Sequence, residues 1–101
     1  MDNTGDWRTR LQALRGDIDA SDRELLRLLN QRALLSLEVG RVKAQMSQIG
    51  NTGDIFDPQR EREVLDNLAI WNTGVLPRQH IENIWREIFS SSRALQGKAE
   101  S

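Results

Sequence analysis

The sequence contains no cysteine and a single histidine among its 101 residues. Without cysteine the chain can form no disulfide bond, no thiolate nucleophile and no sulfur-ligated metal centre. His80 alone does not provide the ligand set of a classical metal site, so we expect no metal. The sequence also shows no serine, histidine and aspartate arrangement and no glycine-rich phosphate loop. If the chain is an enzyme, its chemistry should need only orientation and fixed charge.

Long hydrophobic runs and an excess of one charge are missing as well. No stretch of 18 apolar residues occurs, and residues 1–10 have no apolar centre, so we expect neither a membrane span nor a signal peptide. The formal net charge is -1, which gives no positive field to attract nucleic acid. We therefore expect a cytoplasmic protein that binds no nucleic acid and no membrane.

Proline is scarce, and neither of the two prolines lies before residue 58. Over residues 7–46, apolar side chains recur every three or four positions, which predicts one long amphipathic helix. Two polar residues interrupt this apolar stripe, Ser21 and Arg32. The apolar stripe consists of Leu11, Leu14, Ile18, Leu25, Leu28, Leu35, Val39, Val42 and Met46.

The length of this helix predicts a partner. About 40 residues at 1.5 Å each form a rod of roughly 60 Å. A compact domain of about 100 residues is only some 35 Å across. The rest of the chain is therefore too short to cover the rod, and we expect a second copy lying antiparallel to it.

Two shorter helices are predicted after the long one. Asp57 and Pro58 are typical of a helix start, and an Asn-Thr-Gly run ends that helix near residue 72. A third helix is expected over residues 77–96, ending at Gly97. The prediction is thus a single all-α domain over residues 1–101, with helices at about 7–46, 58–72 and 77–96.

Several polar side chains fall on faces that these helices should bury. Arg32 takes a core position, and Lys43 projects from nearly the same face eleven residues later. Ser92 and Gln96 lie four residues apart on the inward stripe of the third helix. The full set of inward or adjacent polar residues is Arg15, Arg32, Lys43, Asp57, Arg60, Glu61, Ser92 and Gln96. Arginines bind carboxylates in pairs of hydrogen bonds, so this set fits a compact ligand with carboxylates and a hydroxyl or ether oxygen.

Each of these residues also has a purely structural interpretation. Asp57 can be a helix cap, and Ser92 can be a small filler on the helix stripe. Arg15 can be a solvated flank of the apolar stripe. Arg32 can form a buried ion pair with an acid such as Glu61. Lys43, Arg60 and Gln96 would then need separate explanations, which favours the ligand interpretation.

The order of these residues carries a resemblance to a known family. The sequence reads L-x-x-L-R-x-x-I-D-x-x-D-x-x-L-L-x-L-L-x-x-R over residues 11–32, E-V-G-x-x-K over 38–43, D-P-x-R-E over 57–61 and S-x-x-x-Q over 92–96. Together these motifs resemble the all-helical chorismate mutases, in particular the bacterial type often fused to prephenate dehydratase. The resemblance covers nearly the whole chain in the right order, which makes it more specific than any single motif.

The resemblance implies an intertwined homodimer of three-helix protomers that converts chorismate to prephenate without a cofactor. It implies that Arg32 and Arg60 bind substrate carboxylates, together with Arg15 from the other protomer. Lys43 and Gln96 would donate hydrogen bonds to the ether oxygen. By the same resemblance, the ring hydroxyl would be bound by Glu61, with Asp57 nearby and Ser92 at the rim.

Two other functions fit the same pattern. An isochorismate-pyruvate lyase on the same scaffold would use a similar cationic pocket to expel pyruvate. A non-catalytic dimerisation or regulatory module would use only the long helix. Loss of turnover with the dimer preserved in an Arg32→Ala variant would favour an enzyme over the module.

The neutral amide of Gln96 leads to a prediction about pH. An amide donates without taking up a proton, so we expect activity that does not require acidic pH. A Gln96→Glu variant must be protonated before it can donate, so its optimum should move to lower pH. The measurement is the pH profile of kcat/KM for both proteins, and an unchanged profile would contradict a donor role for Gln96.

Overall fold

The computed structural model describes residues 4–48 and 55–100, and within these ranges it contains three helices and no strand. Helix α1 spans Thr4–Gln48, α2 spans Pro58–Trp71 and α3 spans Arg78–Glu100. The predicted all-α fold of one very long helix followed by two shorter ones is confirmed. Part of the predicted loop, residues 49–54, lies outside the described residues.

Helix α1 runs for 45 residues, beginning three residues before the predicted start and ending two after the predicted end. Charged side chains three or four residues apart form ion pairs along its exposed surface, including Arg27 with Glu24 and Arg41 with Glu38. The hydrogen bond from Arg27 holds the pKa of the Glu24 carboxyl below its ordinary value. Such solvated pairs support individual turns only slightly, so the continuity of α1 follows mainly from its sequence of helix formers without proline.

The chain divides into two compact units, Met1–Arg32 and Ala33–Ser101. In the N-terminal unit, the described residues form the first part of α1. Its residues 5–31 are all exposed, and Arg32 is half-buried. The predicted apolar stripe in this unit is thus uncovered, with Leu14 and Ile18 each 58% exposed.

The C-terminal unit contains the last part of α1 together with α2 and α3. Among the described residues of this unit, the buried hydrophobic side chain is Phe89 of α3. On α1 the buried positions are Ser36 and Gly40, four residues apart, and small residues at such positions let helices approach closely. Val39 and Val42 belong to the predicted stripe but are exposed here. Within this unit, α1 therefore buries its small residues, and the predicted apolar stripe lies on the exposed surface.

Helix α2 begins as predicted. The Asp57 carboxylate accepts a hydrogen bond of 3.0 Å from the backbone N–H of Arg60, and Pro58 occupies the first turn. This bond satisfies one of the amides that a helix start leaves without a partner. Trp71, at the other end of α2, is 69% exposed.

A single asparagine organises the turn between α2 and α3. The backbone N–H of Asn72 bonds to the Leu68 carbonyl and caps α2. Its side-chain oxygen accepts from the Gly74 N–H at 3.0 Å, and its side-chain nitrogen donates to the Leu76 carbonyl at 3.0 Å. The Pro77 carbonyl then accepts from His80 and Ile81 as α3 starts. The stop predicted near residue 72 is confirmed, and α3 begins one residue after the predicted start at 77.

Helix α3 continues through Gly97, where the sequence predicted its end. A methyl group placed at Gly97 would lie 3.6 Å from Cδ1 of Ile55, in ordinary van der Waals contact. An alanine at this position would therefore fit beside Ile55 without a shift. A glycine costs a helix only about 1 kcal/mol relative to alanine, which is too little to end one.

The Asn72 turn leads to a prediction about stability. Replacing Asn72 with alanine removes both side-chain hydrogen bonds and should lower the free energy of unfolding by about 1 kcal/mol. The measurement is urea denaturation at a fixed protein concentration.

An Asn72→Asp variant is the matched control. It keeps the oxygen that accepts from Gly74 but replaces the donor to Leu76 with a charged oxygen that repels the Leu76 carbonyl. Its loss should therefore be at least as large as that of the alanine variant at neutral pH, and smaller at a pH that protonates the carboxyl. Equal stability of all three proteins would show that the side chain does not support the turn.

Candidate active site

A hydrogen bond between Lys43 and Gln96 joins α1 to α3 in the C-terminal unit. The Lys43 Nζ donates to the Gln96 Oε1 at 2.8 Å, and the contact is partly buried. An ammonium group only donates, so the amide must present its oxygen to the lysine. The N–H groups of the same amide are then the part of Gln96 that can donate to a ligand. The two predicted ether-oxygen donors are thus neighbours in the structure.

A second contact joins α1 and α3 at residues that precede Lys43 and Gln96 in the sequence. Ser36 Oγ donates to Ser92 Oγ at 3.2 Å, and both serines are buried. Lys43 lies seven residues after Ser36, or about 10 Å further along α1. Gln96 lies four residues after Ser92, or about 6 Å further along α3. Both advances run in the same direction, so the two helices are parallel here, and the long lysine side chain spans the difference in spacing.

Ser92 and Gln96 face the same neighbour, as their spacing predicted. Ser36 was not among the sequence-predicted residues, although it lies seven residues before Lys43 and therefore on the same face. That spacing was the signal that could have identified it. The expected role of Ser92 at the rim of a ligand site stays a prediction.

Glu61 connects α2 to α3. Its Oε2 accepts a hydrogen bond of 2.5 Å from the Arg93 guanidinium, which also forms an ion pair with it. The Cζ of Arg93 lies 5.4 Å from the centre of the Phe56 ring. Sequence reasoning missed Arg93, although it stands between Ser92 and Gln96 and is the one cation in that stretch of α3.

The other predicted residues of α2 lie at its start and are exposed. Asp57 serves as the helix cap, and its carboxylate holds the Arg60 amide. The Arg60 guanidinium turns toward Glu63 on its own helix, with Nη1 and Oε2 3.4 Å apart. A surface pair at this distance contributes little to stability, so it leaves the Arg60 side chain able to move to a ligand.

Arg15 and Arg32 belong to the N-terminal unit. Arg15 is exposed on α1, and Arg32 is half-buried at the end of the unit. Their predicted roles as carboxylate ligands stay predictions.

A groove of about 350 Å³ lies between α2 and α3. Glu61 and Phe89 are part of its lining, whereas the remainder is mostly the charged surface of the two helices, including Arg62 and Glu82. Its cations and carboxylates are balanced, so the groove does not have the cationic character that an anionic ligand requires.

Within residues 4–48 and 55–100, no three or more histidine or carboxylate side chains are grouped as a metal site would require. Over the same part of the chain, every helix is too polar or too short to cross a membrane.

The model of the family described as chorismate mutase type II matches residues 14–97. The chain belongs to this family. The match covers all of α2 and most of α1 and α3, and it includes every residue that the motifs singled out as a site residue, so the resemblance seen in the sequence is confirmed.

Relatives of this chorismate mutase family chain include two bifunctional proteins. The chorismate mutase/prephenate dehydratase of Aquifex aeolicus is 37% identical over 92 residues, covering 87% of this chain and 24% of that protein. The protein of the same description from Pseudomonas aeruginosa is 38% identical over 87 residues, covering 86% and 24%. The chain therefore spans about a quarter of the length of these relatives.

Solved structures of the family are also similar to this chain. A chorismate mutase from Thermus thermophilus (form II) gives a TM-score of 0.77 at 39% identity, covering 87% of this chain and 94% of that one. A chorismate mutase from Helicobacter pylori, solved in complex with prephenate, gives 0.75 at 31% identity, covering 90% and 93%. Both comparisons extend over most of the three-helix fold.

Proposed function

We propose that this chain is a chorismate mutase that rearranges chorismate to prephenate in the cytoplasm, as a step of aromatic amino acid biosynthesis. The observation that carries the proposal is the Lys43 and Gln96 pair, which joins two hydrogen-bond donors at one place in a chain of the mutase family. The relative from Helicobacter pylori, which binds prephenate, supports the same substrate class.

The reaction is an intramolecular Claisen rearrangement, so catalysis requires the correct conformer of one molecule. Chorismate must adopt a folded, pseudo-diaxial form in which the two reacting carbons approach each other. Binding both carboxylates at fixed positions selects that form and removes the entropy cost from the chemical step. In this proposal Arg32 and Arg60 bind the carboxylates, with Arg15 supplied by a second protomer and Ser92 at the rim.

Charge stabilisation acts on the ether oxygen. Negative charge grows on this oxygen as its bond to carbon breaks, so preplaced donors stabilise the transition state more than the bound substrate. In the proposal these donors are the Lys43 ammonium and the Gln96 amide N–H. One such donor is typically worth about 3 kcal/mol of the barrier.

The ring hydroxyl of the substrate needs an acceptor. Glu61 is partly buried and ionised acids only accept hydrogen bonds, so its carboxylate is suited to bind this hydroxyl. Asp57, at the start of the same helix, supports this end of the site. No step in this scheme requires a cofactor or a metal.

The exposed stripe on α1 supports a homodimer. In the N-terminal unit, apolar side chains such as Leu14, Ile18 and Leu25 are more than half exposed along one helix. Soluble monomers rarely expose a continuous apolar surface of this extent. We propose that a second copy covers this stripe and that its Arg15 completes the carboxylate site.

The first test of the proposal concerns the donor pair. A Lys43→Met variant should lose at least about 100-fold in kcat, because a methionine of similar length cannot donate to the ether oxygen. The assay follows the loss of chorismate absorbance with EDTA present, and prephenate and pyruvate are both quantified to separate a mutase from a lyase.

An Arg41→Met variant is the matched control for Lys43→Met. Arg41 lies two residues earlier on α1, is exposed and pairs with Glu38. Its removal should change kcat less than about twofold, since solvated pairs contribute little. Wild-type turnover in the Lys43→Met protein would overturn the assigned role of Lys43.

The second test concerns the shared site. Arg15→Ala and Lys43→Met homodimers should both be nearly inactive. If each site combines Arg15 of one protomer with Lys43 of the other, refolding an equal mixture gives mixed dimers with one intact site. About a quarter of the wild-type activity should then return.

Sedimentation of the wild-type chain should show a dimer in the same buffer. A mixture of Arg15→Ala and Arg10→Ala chains is the control. Arg10 is an exposed α1 residue that pairs with Asp6 on its own helix, so this mixture should show only the average activity of its two homodimers. A monomeric wild type, or no gain of activity on mixing the Arg15 and Lys43 variants, would contradict the shared site.

A further inference from the structure

The ion pair between Arg93 and Glu61 differs from the surface pairs of the same unit. Arg78 and Arg86 each pair with Glu82, one helical turn away on α3, and both arginines are more than half exposed. Arg93 instead reaches from α3 to Glu61 on α2, and the two side chains are 34% and 24% exposed. A pair removed from water to this extent is screened less and holds its geometry better than a solvated pair.

The Arg93 guanidinium is fixed on a second side by an aromatic ring. Its Cζ lies 5.4 Å from the centre of the Phe56 ring, within the range of a cation–π contact. Its backbone neighbour Ser92 is buried against Ser36. The guanidinium therefore has an anchored backbone, an aromatic face and a carboxylate partner, which together restrict the position of Glu61.

The bond uses one oxygen of the Glu61 carboxylate. Arg93 donates to Oε2, and an ionised carboxylate has two oxygens with about four accepting sites in total. The carboxylate can thus be held by Arg93 and accept a hydroxyl from a ligand at the same time. Because the guanidinium fixes the rotamer, little side-chain freedom is lost when that ligand hydroxyl binds.

We infer that Arg93 is a positioning residue that holds Glu61 to accept the ring hydroxyl of the substrate. This inference rests on the proposed mutase function and on the assignment of Glu61 to that hydroxyl. Arg93 acts through Glu61 and does not itself contact the substrate. Its contribution is therefore to the recognition of a substrate that carries the hydroxyl.

The test is a double-mutant cycle with wild type, Arg93→Gln, Glu61→Gln and the double variant. On chorismate, Arg93→Gln should lower kcat/KM about tenfold, as expected for loss of a charge-assisted hydrogen bond. In the Glu61→Gln background, the same change should have less than about a twofold effect, because the group that it positions is gone.

A second substrate separates positioning from a structural role. On a chorismate analogue without the ring hydroxyl, Arg93→Gln should lower kcat/KM less than about twofold. Arg93→Lys should recover part of the activity on chorismate, because lysine keeps the charge but not the planar geometry. Arg86→Gln is the control for charge loss on α3 and should behave as wild type on both substrates.

The outcomes distinguish this inference from the proposed function. An equal loss on both substrates, or an undiminished loss in the Glu61→Gln background, overturns the positioning role and leaves the mutase assignment intact. The latter result would indicate that Arg93 contacts the substrate directly. A wild-type chain that does not consume chorismate overturns both.

Discussion

The contact between Lys43 and Gln96 is the interaction on which the proposed site depends. A half-buried ammonium group needs an acceptor, and the amide oxygen of Gln96 provides it at 2.8 Å. Together with the Ser36 and Ser92 contact, this bond joins α3 to the last part of α1, and it determines which end of the amide faces a ligand. An amide turned the other way would place two donors against each other, which is unfavourable. The polarity of the site is therefore built into the helix packing.

Helix α1 has two faces with different composition. In the C-terminal unit it buries Ser36 and Gly40 against the rest of that unit, whereas Leu35, Val39 and Val42 of its apolar stripe are exposed. Small residues allow close helix contact and place Lys43 within reach of Gln96. In the N-terminal unit the stripe is also exposed, and we propose that a second copy covers it there. One helix can in this way serve both its own protomer and a partner.

The two connections from α3 have separate functions in the proposal. Ser92 and Gln96 contact α1, where charge stabilisation of the ether oxygen would occur. Arg93 contacts Glu61 of α2, where the ring hydroxyl would bind. Since Arg93 directly follows Ser92, a helical turn of about 100° per residue directs the two side chains to different neighbours. A short segment of α3 thus couples transition-state stabilisation to substrate recognition.

The sequence by itself determined the three described helices, the Asp57 cap and the family. These depend on local patterns: apolar spacing, the scarcity of proline and the order of short motifs. It also placed Ser92 and Gln96 on one face, because residues four apart on a helix share a face. Tertiary structure alone decided that α1 buries its small residues, that Lys43 bonds to Gln96, and that Arg93 is the partner of Glu61. The physical reason is that periodicity describes one helix at a time, whereas these contacts join residues more than 30 positions apart and depend on how the helices pack.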